Sequence, residues 1–292
     1  MVARALALIA ASLLAASALG ACSSDDDQAD RDARPEAVVW AVGDGAVGNS
    51  KHARQVAELM ADGRIDRLLY LGDVYENGTL EEFERNYESV YGRFATFTSP
   101  TPGDHEWRNH KRGYDVWWRR ALGRRQPHYY SLRLAGWEIV SVNSEQPHGR
   151  GSRQYRWLRR ELREPGDCRV VFTHRPRFSA GTRHGDYEDM EPVWDLLRGR
   201  ARVLLGADDH DMQRLKPMDG VVQFVSGAGG RELYPVDVTD GRLAFAADDR
   251  FGALRLELGR GFVRHTFAAA DGTKLDEGSL RCRELGPEPP NL

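Results

Sequence analysis

The sequence is poor in cysteine, with 3 in 292 residues, and none of the three has a second Cys or a His at zinc-finger spacing. It also lacks a surplus of either charge: 41 Lys and Arg stand against 44 Asp and Glu, for a formal net charge of −3. That balance gives no argument for nucleic acid or an anionic surface as an electrostatic partner. No Gly-x-Ser-x-Gly elbow is present, which removes the nucleophile-elbow type of serine hydrolase. The one dense glycine cluster, Gly227-Ala228-Gly229-Gly230, has no P-loop lysine and no helical pattern after it, so it reads as a turn. No internal repeat is evident either.

What is present begins with a targeting pattern. After Arg4, an apolar run from Ala5 to Ala18 leads to Leu19-Gly20-Ala21-Cys22 and then Ser-Ser-Asp-Asp-Asp. The run is short for a spanning helix and reads as a secretory signal peptide. The cysteine directly after Leu-Gly-Ala resembles a bacterial lipobox, which implies cleavage before Cys22, lipidation of its thiol and a membrane-anchored, extracytoplasmic protein. A plain secretory signal is the alternative. Residues 1–21 are thus expected to be the signal, residues 22–36 a polar flexible tether, 37–283 one domain and 284–292 a tail. In an oxidising compartment, Cys168 and Cys282 can form a disulfide tying the C-terminal end to the start of a core strand, or remain two buried thiols.

Ala37 to Val42 is a short apolar run ending in Gly43-Asp44, and Arg67 to Leu71 is another ending in Gly72-Asp73. Between them, Val56, Leu59 and Met60 share one face of a helix capped by Asn49 or Ser50. This strand–helix–strand alternation predicts an α/β fold with parallel strands. Helices are expected over 80–94, 114–121, 152–162 and 191–197, and a hairpin about Ala135-Gly136. Strands over 168–173 and 201–205 deliver His174 and Asp208-Asp209-His210, and the remainder reads as mostly antiparallel strands.

Asp44, Asp73, Asp104, His174 and His210 therefore all stand at strand ends or turns, far apart in sequence. Open α/β sheets build sites beyond the carboxyl ends of their strands, and convergent carboxylates and imidazoles there are what a metal requires. Any one of the five alone reads as a turn cap or a solvated side chain.

At these residues the chain resembles the calcineurin-like metallophosphoesterases, and within them the purple-acid-phosphatase-like branch. The motifs are Val42-Gly43-Asp44-Gly45, Leu71-Gly72-Asp73-Val74-Tyr75, Gly103-Asp104-His105-Glu106, Thr173-His174 and Asp208-Asp209-His210-Asp211. The resemblance implies a four-layer αββα sandwich of two mixed sheets flanked by helices, with two metal ions at the strand ends. Asp44 and His210 would hold the first ion, Asp73 would bridge, and Asp104, His174 and Asp208 would hold the second. Two such ions supply a hydroxide nucleophile near neutral pH and clamp both oxygens of an in-line displacement at a phosphate mono- or diester. His105 would donate to phosphate or to the leaving oxygen, and Glu106 would orient it. His184 is a candidate for substrate contact or for backing a ligand, with a surface histidine as the other reading.

The departures from the pattern carry as much information. Asp104 replaces the family's Asn and Asp208 its first His, so two neutral ligands become carboxylates. The oxygen-rich second position leans towards iron, manganese, magnesium or calcium and away from zinc. Four carboxylates would then offset two divalent charges and weaken the pull on phosphate, unless the first ion is trivalent iron or a carboxylate is protonated. Tyr75 stands one place earlier than the family's ligating tyrosine; it either reaches the first metal or packs as an ordinary aromatic. The alternative to an enzyme is a weakly active or non-catalytic metal-binding or interaction lipoprotein with a drifted second site.

Overall fold

In the computed structural model, residues 34–164 and 166–282 are described. The signal segment, Cys22, most of the tether and the tail lie outside them. Among the described residues no helix is long and apolar enough to cross a membrane.

Every residue of β1 (Ala37–Val42) is buried, and its alternation explains how. Ala37, Val39 and Ala41 point into one apolar cluster, and Val38, Trp40 and Val42 into another. A strand with period-2 side chains and both faces apolar has to be covered on both sides. β1 pairs in parallel with β2 (Arg67–Tyr70), which pairs in parallel with β3 (Thr98–Pro100). On its other side β1 runs antiparallel to β11 (Gly252–Gly259), followed by β12 (Phe262–Ala269) and β13 (Lys274–Arg281). This six-stranded sheet has the order β13-β12-β11-β1-β2-β3.

The second sheet has seven strands. β4 (Tyr130–Leu134) and β5 (Trp137–Ser141) form the expected hairpin, and Ala135 and Gly136 both take the positive φ (51° and 77°) that such a tight turn demands. β5 runs parallel to β6 (Arg169–Phe172), β6 to β7 (Val203–Gly206), and β7 to β9 (Val222–Ser226). β8 (Met212–Leu215) and β10 (Leu243–Ala247) close the far edge antiparallel.

Between the sheets lies a core in which Val39, Leu69 and Leu256 of the first meet Ile139, Phe172 and Leu205 of the second. The helix Lys51–Ala61, capped by the Ser50 hydroxyl accepting from Ala53 N, the helical stretch over 80–97 and the helix Tyr114–Leu122 cover the outer face of the first sheet. Helices Arg153–Glu161 and Glu191–Leu197 cover the outer face of the second. The architecture is the four-layer αββα sandwich.

Two local readings change. The helix expected over 80–94 is broken into α, π and 3-10 turns, with Phe83, Tyr87, Tyr91 and Phe94 buried, because an aromatic-rich face seats rings at the expense of regular helical pitch. β3, β8 and β13 were not anticipated. β3 is too short for periodicity, β8 (MQRL) has no apolar run, and β13, an edge strand with sequence KLDEGSLR, has little apolar alternation to show. Cys168 and Cys282 are joined, with Cα atoms 5.1 Å apart. The bridge ties the chain just past β13 in one sheet to the start of β6 in the other, closing a loop of 114 residues.

Candidate metal centre

The loops that follow β1, β2, β3, β6 and β7 carry the ligand-type side chains, and these strands are parallel within each sheet. Their carboxyl ends therefore open to the same side, and the loops meet. Pairing continues past the strands: Asp44 N donates to the Gly72 carbonyl (3.2 Å), and Ala207 N to the His174 carbonyl (2.7 Å). Two contacts cross between the sheets at this point. The His174 Nδ1–H donates to the Leu71 carbonyl at 2.8 Å, and Asp208 N donates to Asp44 Oδ2 at 3.0 Å.

The backbone is bent to bring the carboxylates inward. Asp44, Asp73 and Asp208 have φ of 57°, 71° and 68°, accounting for three of the six non-glycine residues with positive φ among the described residues. Aspartate tolerates this region better than most residues, and strain held by its surroundings clusters at functional sites. Gly72 also lies in this region, at φ 100°, and a Cβ there would come within 2.8 Å of His174 Nδ1. Gly103 is needed for space: a Cβ would lie 2.0 Å from Asp73 Oδ1.

His174 is fully buried, and its Nε2 has no hydrogen-bond partner. The Leu71 carbonyl can only accept, so it fixes one proton on Nδ1 and leaves Nε2 as the position that a second proton or a cation can take. That nitrogen faces carboxylate oxygens of Asp208 (3.1 Å), Asp73 (3.4 Å) and Asp104 (3.6 Å). Buried acceptors facing one another repel, so the site calls for a cation or a proton at their centre. Burial pulls the imidazole's pKa down, but Asp73, Asp104 and Asp208 outweigh it and hold the ring well above its ordinary value. In return, His174 holds Asp104 down to about 2 and draws Asp208 low against the effect of its own burial.

The other imidazoles are held the same way. His210 donates Nδ1–H to the Glu232 carbonyl (2.7 Å), leaving Nε2 3.6 Å from Asp44 Oδ1. Burial lowers the His210 pKa to about 4, so at neutral pH it offers a lone pair. The Tyr75 hydroxyl completes this corner, donating to Asp44 Oδ1 (2.8 Å) and lying 3.0 Å from His210 Nε2. The hydroxyl thus faces the site, where the reading of Tyr75 as a ligand needs it. Asp44 is pushed well up by burial and by the neighbouring Asp73 and Asp208.

The residues fit a pair of cations. Asp44, Tyr75 and His210 form one corner, Asp104, His174 and Asp208 the other, and Asp73 lies between. Asp73 shares one compact cluster with Asp44 and His174 and another with Asp104 and His105.

His105 stands over this floor, partly exposed, with Nδ1–H donated to the Glu76 carbonyl (2.6 Å) and Nε2 3.7 Å from Asp73 Oδ2. With Nδ1–H committed, Nε2 can donate only when the ring is protonated. The expected role of Glu106 is not met: its carboxylate lies beneath the Asp73 loop, accepting from Asp73 N (3.1 and 3.2 Å) and Val74 N (3.1 Å). It orients the loop that carries Asp73, and the Glu76 carbonyl orients His105. A carboxylate one residue from a histidine on a helical turn points away from it, which a linear motif does not reveal.

His184 Nδ1 lies 3.8 Å from Asp208 Oδ2 at the cleft wall, and Tyr187 donates its hydroxyl to the same oxygen. Tyr187 had no sequence signal, nor did Arg175, which reaches Asp104 (3.9 Å) and Glu145 (3.0 Å). These groups offset the two additional carboxylates. The cleft mouth is lined by Arg183, Arg231, Glu232 and Tyr234. Arg231 pairs with Glu76 (2.5 Å) and lies over the Tyr75 ring, while the Arg183 guanidinium lies over Tyr234.

A model of the calcineurin-like phosphoesterase family matches residues 37–212. A search of curated proteins returned no significant match. Among solved structures, a purple acid phosphatase from yellow lupin (Lupinus luteus) seeds aligns over 84% of this chain and 53% of its own, at 16% identity and TM-score 0.69. This chain therefore spans about half the length of the lupin protein. GAP50, the anchor in the inner membrane complex of Plasmodium, aligns over 86% and 90%, at 13% identity and TM-score 0.70. A dimetal phosphatase from Danio rerio aligns over 85% and 99%, at 12% identity and TM-score 0.58. At these identities the likeness is one of fold.

Proposed function

This chain belongs to the calcineurin-like phosphoesterase family, and from that premise we propose that it is a metal-dependent phosphoesterase acting on phosphate mono- or diesters at a binuclear centre. The observation that carries the reading is the buried His174 Nε2, which lacks a hydrogen-bond partner and faces three carboxylates. Asp44, Tyr75 and His210 would hold one ion, Asp104, His174 and Asp208 the other, with Asp73 between them. When bound, such ions neutralise phosphate charge and activate water for in-line attack. His105, in its protonated form, would donate from Nε2 to a phosphate oxygen or to the leaving oxygen. Arg175, His184 and Tyr187 would temper the negative charge of Asp104 and Asp208 so that a dianion can approach. The phenol at the first position favours iron there, and the carboxylates at the second favour iron, manganese or magnesium over zinc.

A weakly active or non-catalytic metal-binding protein is the second reading, favoured by the two additional carboxylates. Metal analysis and hydrolysis of an aryl phosphate after reloading with iron, manganese, magnesium or zinc decide between them. About two ions per chain and activity abolished by chelation are expected. One ion or none sinks the binuclear reading, and two ions without hydrolysis under any of the metals favours the second. With iron bound, a visible charge-transfer band lost in Tyr75→Phe would identify the phenol as a ligand.

We also propose export and anchoring through a lipid on Cys22. The Cys168–Cys282 bridge supports an oxidising compartment. Cys22→Ser is expected to move the protein from the membrane fraction to the soluble one; unchanged fractionation would refute the anchor.

A further inference from the structure

A second cluster of ligand-type side chains lies away from the strand ends. His110 follows the helical turn Asp104–Trp107, Asp115 sits in the first turn of Tyr114–Leu122, and His128 precedes β4. One ligand atom from each lies within 4.8 Å of the others, and all three residues are partly buried. The His128 Nε2 is 2.6 Å from Asp115 Oδ1. A simple hydrogen-bonded pair would need nothing more, but His110 adds a second imidazole, its ring perpendicular to that of His128 with centroids 5.2 Å apart.

His110 is held by the device that holds His174 and His210. Its Nδ1–H donates to the Trp107 carbonyl at 2.6 Å, leaving Nε2 as the lone-pair nitrogen, and the ring stacks on Trp107 with centroids 4.0 Å apart. A carbonyl that fixes the tautomer of a histidine beside a carboxylate is the usual support of a metal ligand.

From this cluster we infer a third metal site, in which His110, Asp115 and His128 bind a zinc ion with a water completing four-fold coordination. Two imidazoles and one carboxylate are a borderline-soft set suited to zinc, in contrast to the oxygen-rich set at the strand ends. Zinc holds N and O ligands about 2.0–2.2 Å from itself and hence roughly 3.3 Å from each other, so the Asp115–His128 pair opens slightly and the His128 proton moves from Nε2 to Nδ1 on binding. The ion would fasten the loop after Trp107 to the helix Tyr114–Leu122 and to the chain entering β4. Trp107 closes the helical turn that carries Asp104 and His105, so zinc here would brace the cleft from outside without contacting it.

The test is zinc stoichiometry on the full chain by equilibrium dialysis and elemental analysis. His110→Gln/His128→Gln protein is expected to bind one equivalent fewer than wild type while hydrolysing an aryl phosphate normally with manganese or iron supplied. The isosteric Asp115→Asn, which keeps the bond to His128, is expected to weaken binding of that equivalent at least tenfold and to reduce the rise in thermal midpoint that zinc produces. Equal stoichiometry and equal zinc-induced midpoint shifts in wild type and Asp115→Asn would overturn the site and leave a hydrogen-bonded triad only. Because the readout is zinc bound, not turnover, its failure is separable from failure of the phosphoesterase reading.

Discussion

Asp73→Ala protein is expected to fold and to lose aryl-phosphate hydrolysis by more than about 100-fold, exceeding what removal of a partner behind a metal ligand costs. The reason is position. Asp73 lies between the two corners of the site, its Oδ1 3.4 Å from His174 Nε2 and its Oδ2 3.7 Å from His105 Nε2. Among the described residues, no other carboxylate shares one cluster with Asp44 and another with His105.

The same substitution separates function from stability. Burial, and then Asp104 and Asp208, raise the Asp73 carboxyl above its ordinary value despite the opposing pull of His174 and His105. An acid whose folded pKa is raised favours the fold only while protonated, so that contribution is present at low pH and lost as pH rises through the folded value. Without ions, Asp73 therefore works against the fold once it is ionised. The chelated variant is expected to melt at or above the wild-type temperature, while the midpoint rise produced by manganese or iron disappears. A chelated variant that melts well below wild type yet keeps its activity would show Asp73 to be structural.

Glu106→Ala should produce the largest loss of stability. The carboxylate is 1% exposed and accepts from the backbone N–H groups of Asp73 and Val74. Removing it strands two buried donors, each costing about 1–3 kcal/mol, beneath a residue already held at φ 71°. A loss of about 2 kcal/mol or more in denaturant unfolding is expected, with hydrolysis down roughly 10–100-fold because Asp73 is no longer held in place.

Glu106→Gln isolates the charge. Burial, together with Asp73, pushes the Glu106 carboxyl up to about 7 from 4.5. Folded above unfolded, it contributes stability that is complete below about 4.5 and lost as pH rises through about 7. Chelated wild type should thus lose thermal stability between those pH values, and Glu106→Gln should lose less. Parallel pH profiles would show that Glu106 does not ionise in that range, and retained stability in the Ala variant would show the loop to be held by other contacts.

How much of this was legible depends on which interactions lie along the chain. The apolar runs of β1, β2, β6 and β7 show in the sequence because buried parallel strands need side chains on both faces. The Gly-Asp pairs after β1 and β2 mark where the backbone must bend to turn a carboxylate inward. Asp44, Asp73, Asp104, His174 and His210 were therefore readable as a group from the chain alone, the family resemblance added Asp208, and the six converge. The edge strand β13 was not readable, since one face of it meets solvent and its alternation is diluted.

The charged groups around the ligands were beyond reach for a different reason. Arg175, Arg183, Tyr187 and Arg231 take their roles from loops whose course is fixed by distant partners, such as Glu76 for Arg231 across 155 positions of chain. Arg150 likewise pairs at 2.5 Å with Asp195, 45 positions further along the chain.

Glu106 draws the line most sharply. The sequence by itself determined that Asp104, His105 and Glu106 are consecutive, that a turn precedes them, and that so many ionisable groups need partners. Only the tertiary structure decided which partner each received. A helical turn sends adjacent side chains in different directions: Asp104 to His174, His105 over Asp73, and Glu106 down onto the backbone of another strand's loop. Periodicity along one chain carries no information about what stands opposite it, and that is settled by how the two sheets pack.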